Sequence, residues 1–383
     1  MERDIGLALS GGGSRAAAFH LGCLRALNDR GLLPRMRVIS GVSGGALLAA
    51  LYAYGSVSFD EFDAMATEFL RRGLQWAIAR RFLTSLRGVQ AGLSMVSLPL
   101  SGAVTVARHL AEASGLIHST TASLRYSPAG LRHVNRTTAF VDVLDEQAFN
   151  GRTMQQVSHS GLDVVLTACD LGTSGAVRFG SRTSACSRLG TILDDVRVAS
   201  AVAASAAYPV FLPALEQRYR LRDRSGNEFE QVLLLTDGGV YDNLGLSVLE
   251  VDRDERFTPH VYKVDYIVAC DAGLGQLTHA APHFWPSRMS RVFRIVHGRA
   301  QHGERGRLYA AVSSGRLSGF VYAYLGMRDD RLPMTIADLV PREVVANYPT
   351  DFRAMSREAL NALSTRGEQL VRALLPHYCS SLY

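Results

Sequence analysis

Three stretches of this sequence hold residues whose types and spacing can do chemistry. They are Gly41-Val42-Ser43-Gly44-Gly45, the run Gly11-Gly12-Gly13, and Asp237-Gly238-Gly239. Gly-x-Ser-x-Gly between a strand and a helix is the setting of a serine nucleophile. Small neighbours let the chain turn sharply, and the serine hydroxyl stands out at a helix N-terminus. The helix dipole there favours an alkoxide and the charge of a tetrahedral intermediate. The glycine run exposes backbone N–H groups to a second negative charge, either a nucleotide phosphate or a transient oxyanion. A phosphate-binding P-loop would need Gly-Lys-Ser/Thr after its first glycine, and the sequence has none. Gly11-x-Gly13-x-x-Ala16 fits a dinucleotide fingerprint on paper. That fingerprint also wants an acidic residue closing the second strand, where Ser40-Gly41 stand instead. A tight turn alone would explain a lone glycine run. A serine elbow one β-α unit later favours oxyanion donors.

A serine nucleophile needs a base. Among the histidines, His20 lies on the first helix away from its N-terminal end, and His159 and His297 have no strand-end setting; all three read as structural. Three aspartates close apolar strands: Asp170, Asp237 and Asp271. Open α/β sheets place ligands at that edge. Asp237 ranks first because two glycines leave its carboxylate unobstructed, and Asp271 ranks second. No His/Cys/Asp cluster has metal-ligand spacing, so neither metal nor cofactor is expected.

The elements that must position these groups are short apolar runs alternating with helical patterns, which predicts β-α-β units and a parallel sheet. Strands are expected at Ile5–Leu9, Arg37–Ser40, 163–170, 176–181, 231–239 and 266–273. Helices are expected at Ser14–Arg30, Gly44–Tyr54, 196–207, 287–305 and Thr350–Leu375. Residues 58–160 read as a mainly helical insertion or lid, with helical spacing of Phe62, Met65, Phe69 and Leu74. The whole chain, 1–383, reads as one hydrolase domain with this insertion and a C-terminal extension from about 280.

Composition agrees with a globular chain of ample core: 383 residues, 47% hydrophobic and 20% charged. All but one of the 41 basic residues are arginine, and the net charge is +6. Codon bias explains the arginines most simply, although guanidinium forks also favour anionic partners. Five cysteines without a C-x-x-C suggest no disulfide framework. Met1–Asp4 lacks the apolar stretch of a signal peptide, and a cytoplasmic location is expected.

The ordered set "SGGGSR", "GVSGG", "VASAVAASAAYPVFLP" and "DGGVYDNLG" resembles the patatin-like phospholipase family over roughly residues 5–275. The resemblance implies a three-layer α/β/α fold with a mainly parallel central sheet, and a Ser–Asp dyad that uses no histidine. On this sequence it makes Ser43 the nucleophile, Asp237 the base, and Gly11, Gly12 and Gly13 the oxyanion donors. One departure is Ala16, where the family commonly has glycine. Supporting roles fall to Arg15, Gly44, Gly238, Gly239 and Asn243. Arg15 could bind a phosphate head group or brace the glycine loop.

The implied activity is acyl-ester hydrolysis of phospholipids or lysophospholipids. The alternatives are a carboxylesterase or thioesterase acting on short acyl chains, and a lipid-binding module without turnover. No nucleic-acid partner is expected. Tyr208-Pro209 and Phe211-Leu212-Pro213 could line an acyl pocket. Two segments could touch an anionic membrane from one side: residues 284–299, with Trp285, Phe293 and four arginines, and the uncharged stretch Gly88–Ala107, which follows Arg80, Arg81 and Arg87.

Overall fold

The computed structural model describes residues 4–55, 58–84, 136–209, 211–275 and 284–382. The expected insertion is therefore described only in part, and Gly88–Ala107 lies outside the described residues. Among the described residues, ten strands form one sheet: β1 (Ile5–Leu9), β2 (Met36–Val42), β3 (Asp163–Asp170), β4 (Gly175–Gly180), β5 (Ser184–Cys186), β6 (Gly190–Ile192), β7 (Leu215–Arg222), β8 (Glu228–Asp237), β9 (Tyr266–Asp271) and β10 (Gly319–Tyr324). The helices are α1 (Gly13–Asp29), α2 (Gly44–Tyr54), α3 (Phe59–Arg72), α4 (Gln75–Thr84), α5 (Arg136–Leu144), α6 (Val198–Ser205), α7 (Trp285–Ser313), α8 (Arg342–Val345) and α9 (Arg357–Tyr378).

The sheet order is β10-β9-β1-β2-β3-β4-β5-β6-β7-β8. The first five strands in that order run parallel. Their apolar runs are buried on both faces, as parallel strands require. Alternate residues serve two cores. Leu7, Leu9, Ile39, Leu166 and Val268 face a large core shared with α1, α2, α6 and α9. Ala8, Val38, Val165, Ile267 and Ala269 face a smaller one, covered by Leu244–Leu249, Leu308, Ala311 and Leu317. The result is the expected three-layer arrangement.

Beyond β3 the chain forms an antiparallel ribbon, β4 to β8. The ribbon curls back until β8 pairs with β3 again. On the same edge of β3, Val42 of β2 pairs with Thr167, and Asp237 of β8 pairs with the next residue, Ala168. The ends of β2 and β8 therefore meet at adjacent rungs.

Three expectations need correction. The strand expected at 231–239 is β8, which begins earlier, at Glu228, and pairs with β7. Strands β7, β5, β6 and β10 were not expected, since β7 is polar on one face and β5 and β6 are three residues each. The helix expected at 287–305 extends over Trp285–Ser313. The helix expected at Thr350–Leu375 starts at Arg357, where the Ser356 hydroxyl accepts from Ala359 N at 3.1 Å and caps it. Residues 350–355 instead form a strap. Phe352 O accepts from Leu74 N at 2.9 Å, and Met355 N donates to Leu70 O at 3.1 Å.

Helix α9 lies against α1 so closely that glycine is needed on both. A Cβ at Gly22 would stand 1.7 Å from Ser364 O, and one at Gly367 would stand 2.2 Å from Phe19 O. Arg366 of α9 is fully buried, and its guanidinium donates to the carbonyls of Leu325, Val340 and Met327 and to Asp329. Among the described residues, no helix is long and apolar enough to cross a membrane.

Candidate active site

Ser43 stands at the turn from β2 into α2 with φ 53° and ψ −116°. A non-glycine residue with positive φ is uncommon and strained, and persists where its surroundings over-determine it. Here a bond to the Ser43 backbone fixes the turn. Ser43 N donates to Ser205 Oγ at 2.9 Å, and that hydroxyl donates to Thr167 O at 2.6 Å. Ser205 ends α6, so a third element locks the turn.

The turn from β1 into α1 packs directly on the turn from β2 into α2. A Cβ at Gly44 would fall 2.1 Å from Gly13 O, so the contact demands glycine. Gly12 and Gly13 take φ 142° and 60°. Their N–H groups have no hydrogen-bond partner among the described residues. Gly11 differs from the expectation. Its N–H already donates to Asn243 O at 2.9 Å, so only the N–H groups of Gly12 and Gly13 stand free at this turn among the described residues.

Asp237 is buried at the end of β8. Its carboxylate accepts from Gly239 N at 2.7 Å and interacts with the Ser43 hydroxyl. Burial pushes its pKa up to about 6, against the lowering effect of the Ser43 hydroxyl and the Gly239 amide. Desolvation is thus the larger effect, and it makes an ordinary carboxylate a stronger base. Gly238 permits the sharp exit from the strand, since a Cβ there would lie 2.0 Å from Thr167 O. The Asn243 side chain sits between Gly11 and Gly239, within 2.3 and 2.6 Å of the Cβ each would carry. It links the glycine turn to the aspartate turn.

The other candidates lie apart. Asp271 ends β9, two strands from β2, and it accepts from Gly273 N and the Tyr322 hydroxyl. Asp170 is spent on turns, accepting from Leu234 N at 2.9 Å and from Thr173 N at 2.8 Å. His20 is buried, with its Nε2 3.0 Å from Cys270 O, and burial lowers its pKa to about 3. His159 stacks on Tyr52. His297 lies on α7 beside Gln301 and lines a small pocket with Val240 and Asn243, and no hydrogen bond links it to Ser43 or Asp237 among the described residues.

Arg15 reaches Tyr348 O with Nη1 at 3.1 Å, and its buried Nε takes no partner. Burial lowers its pKa, while Asp271 raises it. Ser14 donates to Asp351 O through both its N and its Oγ, at 2.8 Å each. The strap therefore caps the first turn of α1, a contribution the sequence did not signal. Ser205 was also missed, though it lies within the quoted small-residue helix. Tyr208 and Phe211 are exposed aromatics whose ring centroids stand 5.9 Å apart. They follow Ala207, whose carbonyl accepts from Asp237 N at 3.0 Å. They form a rim beside the aspartate turn, not a buried pocket.

Residues 7–249 match the family model of patatin-like phospholipases. Similar solved structures include VipD from Legionella pneumophila, at 16% identity over 98% of this chain and 67% of that one, with a TM-score of 0.39. Another is human GIVD cytosolic phospholipase A2 with a fluorophosphonate inhibitor, at 14% identity, 97% and 57% coverage, and a TM-score of 0.47. A third is ExoU of Pseudomonas aeruginosa in complex with SpcU, at 18% identity, 81% and 53% coverage, and a TM-score of 0.27. This chain spans just over half the length of the last two. A search of curated protein sequences finds no match.

Proposed function

This chain belongs to the patatin-like phospholipase family, and from that premise we propose that it is a serine hydrolase releasing fatty acids from phospholipids or lysophospholipids. The observation that carries the reading is that Ser43, next after the Val42–Thr167 rung, and the buried Asp237, on the neighbouring Ala168 rung, come together beside the unpartnered amides of Gly12 and Gly13. In the first half-reaction, Asp237 accepts the Ser43 proton as Ser43 Oγ bonds to the ester carbonyl carbon. The carbonyl oxygen takes the negative charge and faces the amides of Gly12 and Gly13. The C–O bond to the alcohol then breaks, and Asp237 returns the proton to the departing oxygen. In the second half-reaction, Asp237 takes a proton from water, hydroxide attacks the acyl-serine, and the proton returns to Ser43. A base with a pKa near 6 is ionised at neutral pH yet holds a proton well enough to donate it.

One hydrolase unit is part of the proposal, because the strap from the C-terminal third caps the helix that carries the glycine turn. Approach to a lipid surface is assigned to the first half of α7. Trp285, Met289, Val292, Ile295 and Val296 are all exposed there, interleaved with exposed Arg288 and Arg299. Such a helix suits the boundary between head groups and acyl chains of an anionic bilayer.

The test is product analysis on a mixed lipid extract, together with labelling by a serine-reactive fluorophosphonate. Free fatty acid and label on Ser43 are expected, both lost in Ser43→Ala. Label elsewhere, or fatty acid release by Ser43→Ala, would overturn the assignment.

A further inference from the structure

A groove of about 1160 Å³ opens between the antiparallel ribbon and the loop 252–260, and neither Ser43 nor Asp237 lines it. Its wall carries Arg178, Arg188, Arg224, Arg253, Tyr241 and His260. Arg178 projects from β4 and is only 7% exposed. Its Nη2 donates to Ser247 Oγ at 3.0 Å, while its Nε is buried without a partner. It enters no ion pair among the described residues. A buried guanidinium without a carboxylate is costly, and an anion would complete it.

Arg253 beside it is half-buried and likewise enters no ion pair among the described residues. Its guanidinium donates to His260 O, Ser247 O and Thr258 Oγ1, at 2.7, 2.6 and 2.9 Å, all of them neutral acceptors. Burial and the neighbouring Arg178 lower its pKa, against the raising effect of Glu250, Asp242 and Tyr241. Two cations thus converge on Ser247. His260 adds no third positive charge, since burial and these arginines hold it neutral. Arg188 stands exposed on the rim with no ion-pair partner among the described residues. Four carboxylates line the groove: Asp252 pairs with Arg316, Asp254 pairs with Arg256, Asp223 accepts from Asn227, and Glu255 is exposed. Nearby, Asp242 accepts from Gly245 N and Ser247 N, and Glu250 pairs with Arg307. The ring of Tyr241, 6.0 Å from the Arg178 guanidinium, offers only a weak offset.

We propose that this groove binds a phosphate-bearing anion, gripped by Arg178 and Arg253 with Arg188 closing from the rim. Guanidinium forks match phosphate oxygens in geometry as well as charge. The groove has room for more than one phosphate, so the ligand class is a phosphomonoester or diphosphate carrying an organic group. A lipid head group and a soluble phosphate ester share this chemistry.

The test measures binding of inorganic pyrophosphate to the full chain by calorimetry. It is repeated with vesicles of ether-linked phosphatidylcholine, with and without ether-linked phosphatidic acid. Ether lipids keep the readout independent of any ester hydrolysis. Wild-type protein is expected to bind pyrophosphate. Arg178→Lys and Arg188→Gln should each weaken it by at least about tenfold, the value of one charge-assisted hydrogen bond. Urea unfolding checks that each variant is folded, and Arg188→Gln, on the exposed rim, serves if Arg178→Lys is not. Phosphatidic-acid vesicles that bind and are displaced by pyrophosphate would identify a head-group ligand. Pyrophosphate binding without vesicle binding would identify a soluble ester. Either result supports the site. Absence of both kinds of binding, or binding that the folded variants leave unchanged, would overturn it.

Discussion

Replacing Asp237 by asparagine removes the ionisable group at nearly constant volume, and the structure sets what this does to stability. In the folded chain the carboxyl has a pKa of about 6, against 3.8 unperturbed, because it is buried. The folded state therefore holds this proton more tightly than the unfolded state. Stability from this group is greatest below pH 3.8, falls as pH rises from 3.8 to 6, and is level above 6. A difference of about two pKa units corresponds to roughly 3 kcal/mol at pH 8 and about 1 kcal/mol at pH 4.5. Asp237→Asn escapes that cost. Its thermal unfolding should lie about 3–4 °C above wild type at pH 8, taking the unfolding entropy typical of a chain this long. The gap should shrink to about 1 °C at pH 4.5. In the same variant, turnover should fall by about 10²–10⁴, the usual worth of a positioned base. Thermal melts at the two pH values and an ester assay measure both. A variant no more stable than wild type at pH 8, or a gain of equal size at both pH values, would refute the claim that Asp237 is held by desolvation.

Other expectations follow from the same site. In wild type, kcat/KM should rise with a slope of one proton and level off above about pH 6, read from initial rates across pH. Ser43→Gly should be more stable to urea than Ser43→Ala by about 1–3 kcal/mol, because glycine relieves the positive φ while both variants lose turnover. Gly44→Ala should cost about 1–3 kcal/mol by overpacking against Gly13 O, and should reduce turnover through displacement of the glycine turn. His297→Ala should leave kcat within about twofold of wild type, since a two-residue dyad uses no histidine; a drop near the thousandfold or more expected of a triad histidine would favour the triad.

The parts of this molecule legible in its sequence are those whose residue types obey strong local rules. The runs at Ile5–Leu9, 163–170 and 266–273 are strands buried on both faces, and their cores are nearly continuous apolar residues, with polar groups mostly at their ends. The glycines around Ser43 announce a turn because few other residues fit there. What was hidden depends on distant pairing. That Gly11 spends its amide on Asn243, or that β8 returns to β3, is decided by residues more than 60 positions apart in sequence. Short strands such as β5 and β6 have too few residues to show a period. The strap at 350–355 makes these bonds through its backbone carbonyls and one backbone N–H, which carry no side-chain signature.

That strap has a consequence for how the molecule comes into being. The Ser–Asp pair and the glycine turn are all made within the first 243 residues, yet Ser14 and Arg15 take backbone partners at Asp351 and Tyr348. During synthesis, the chain that emerges first holds every reactive group but lacks the carbonyls that seat the first turn of α1. A chain that stops before residue 348 therefore carries Ser43, Asp237 and the three glycines without the carbonyls that seat the first turn of α1.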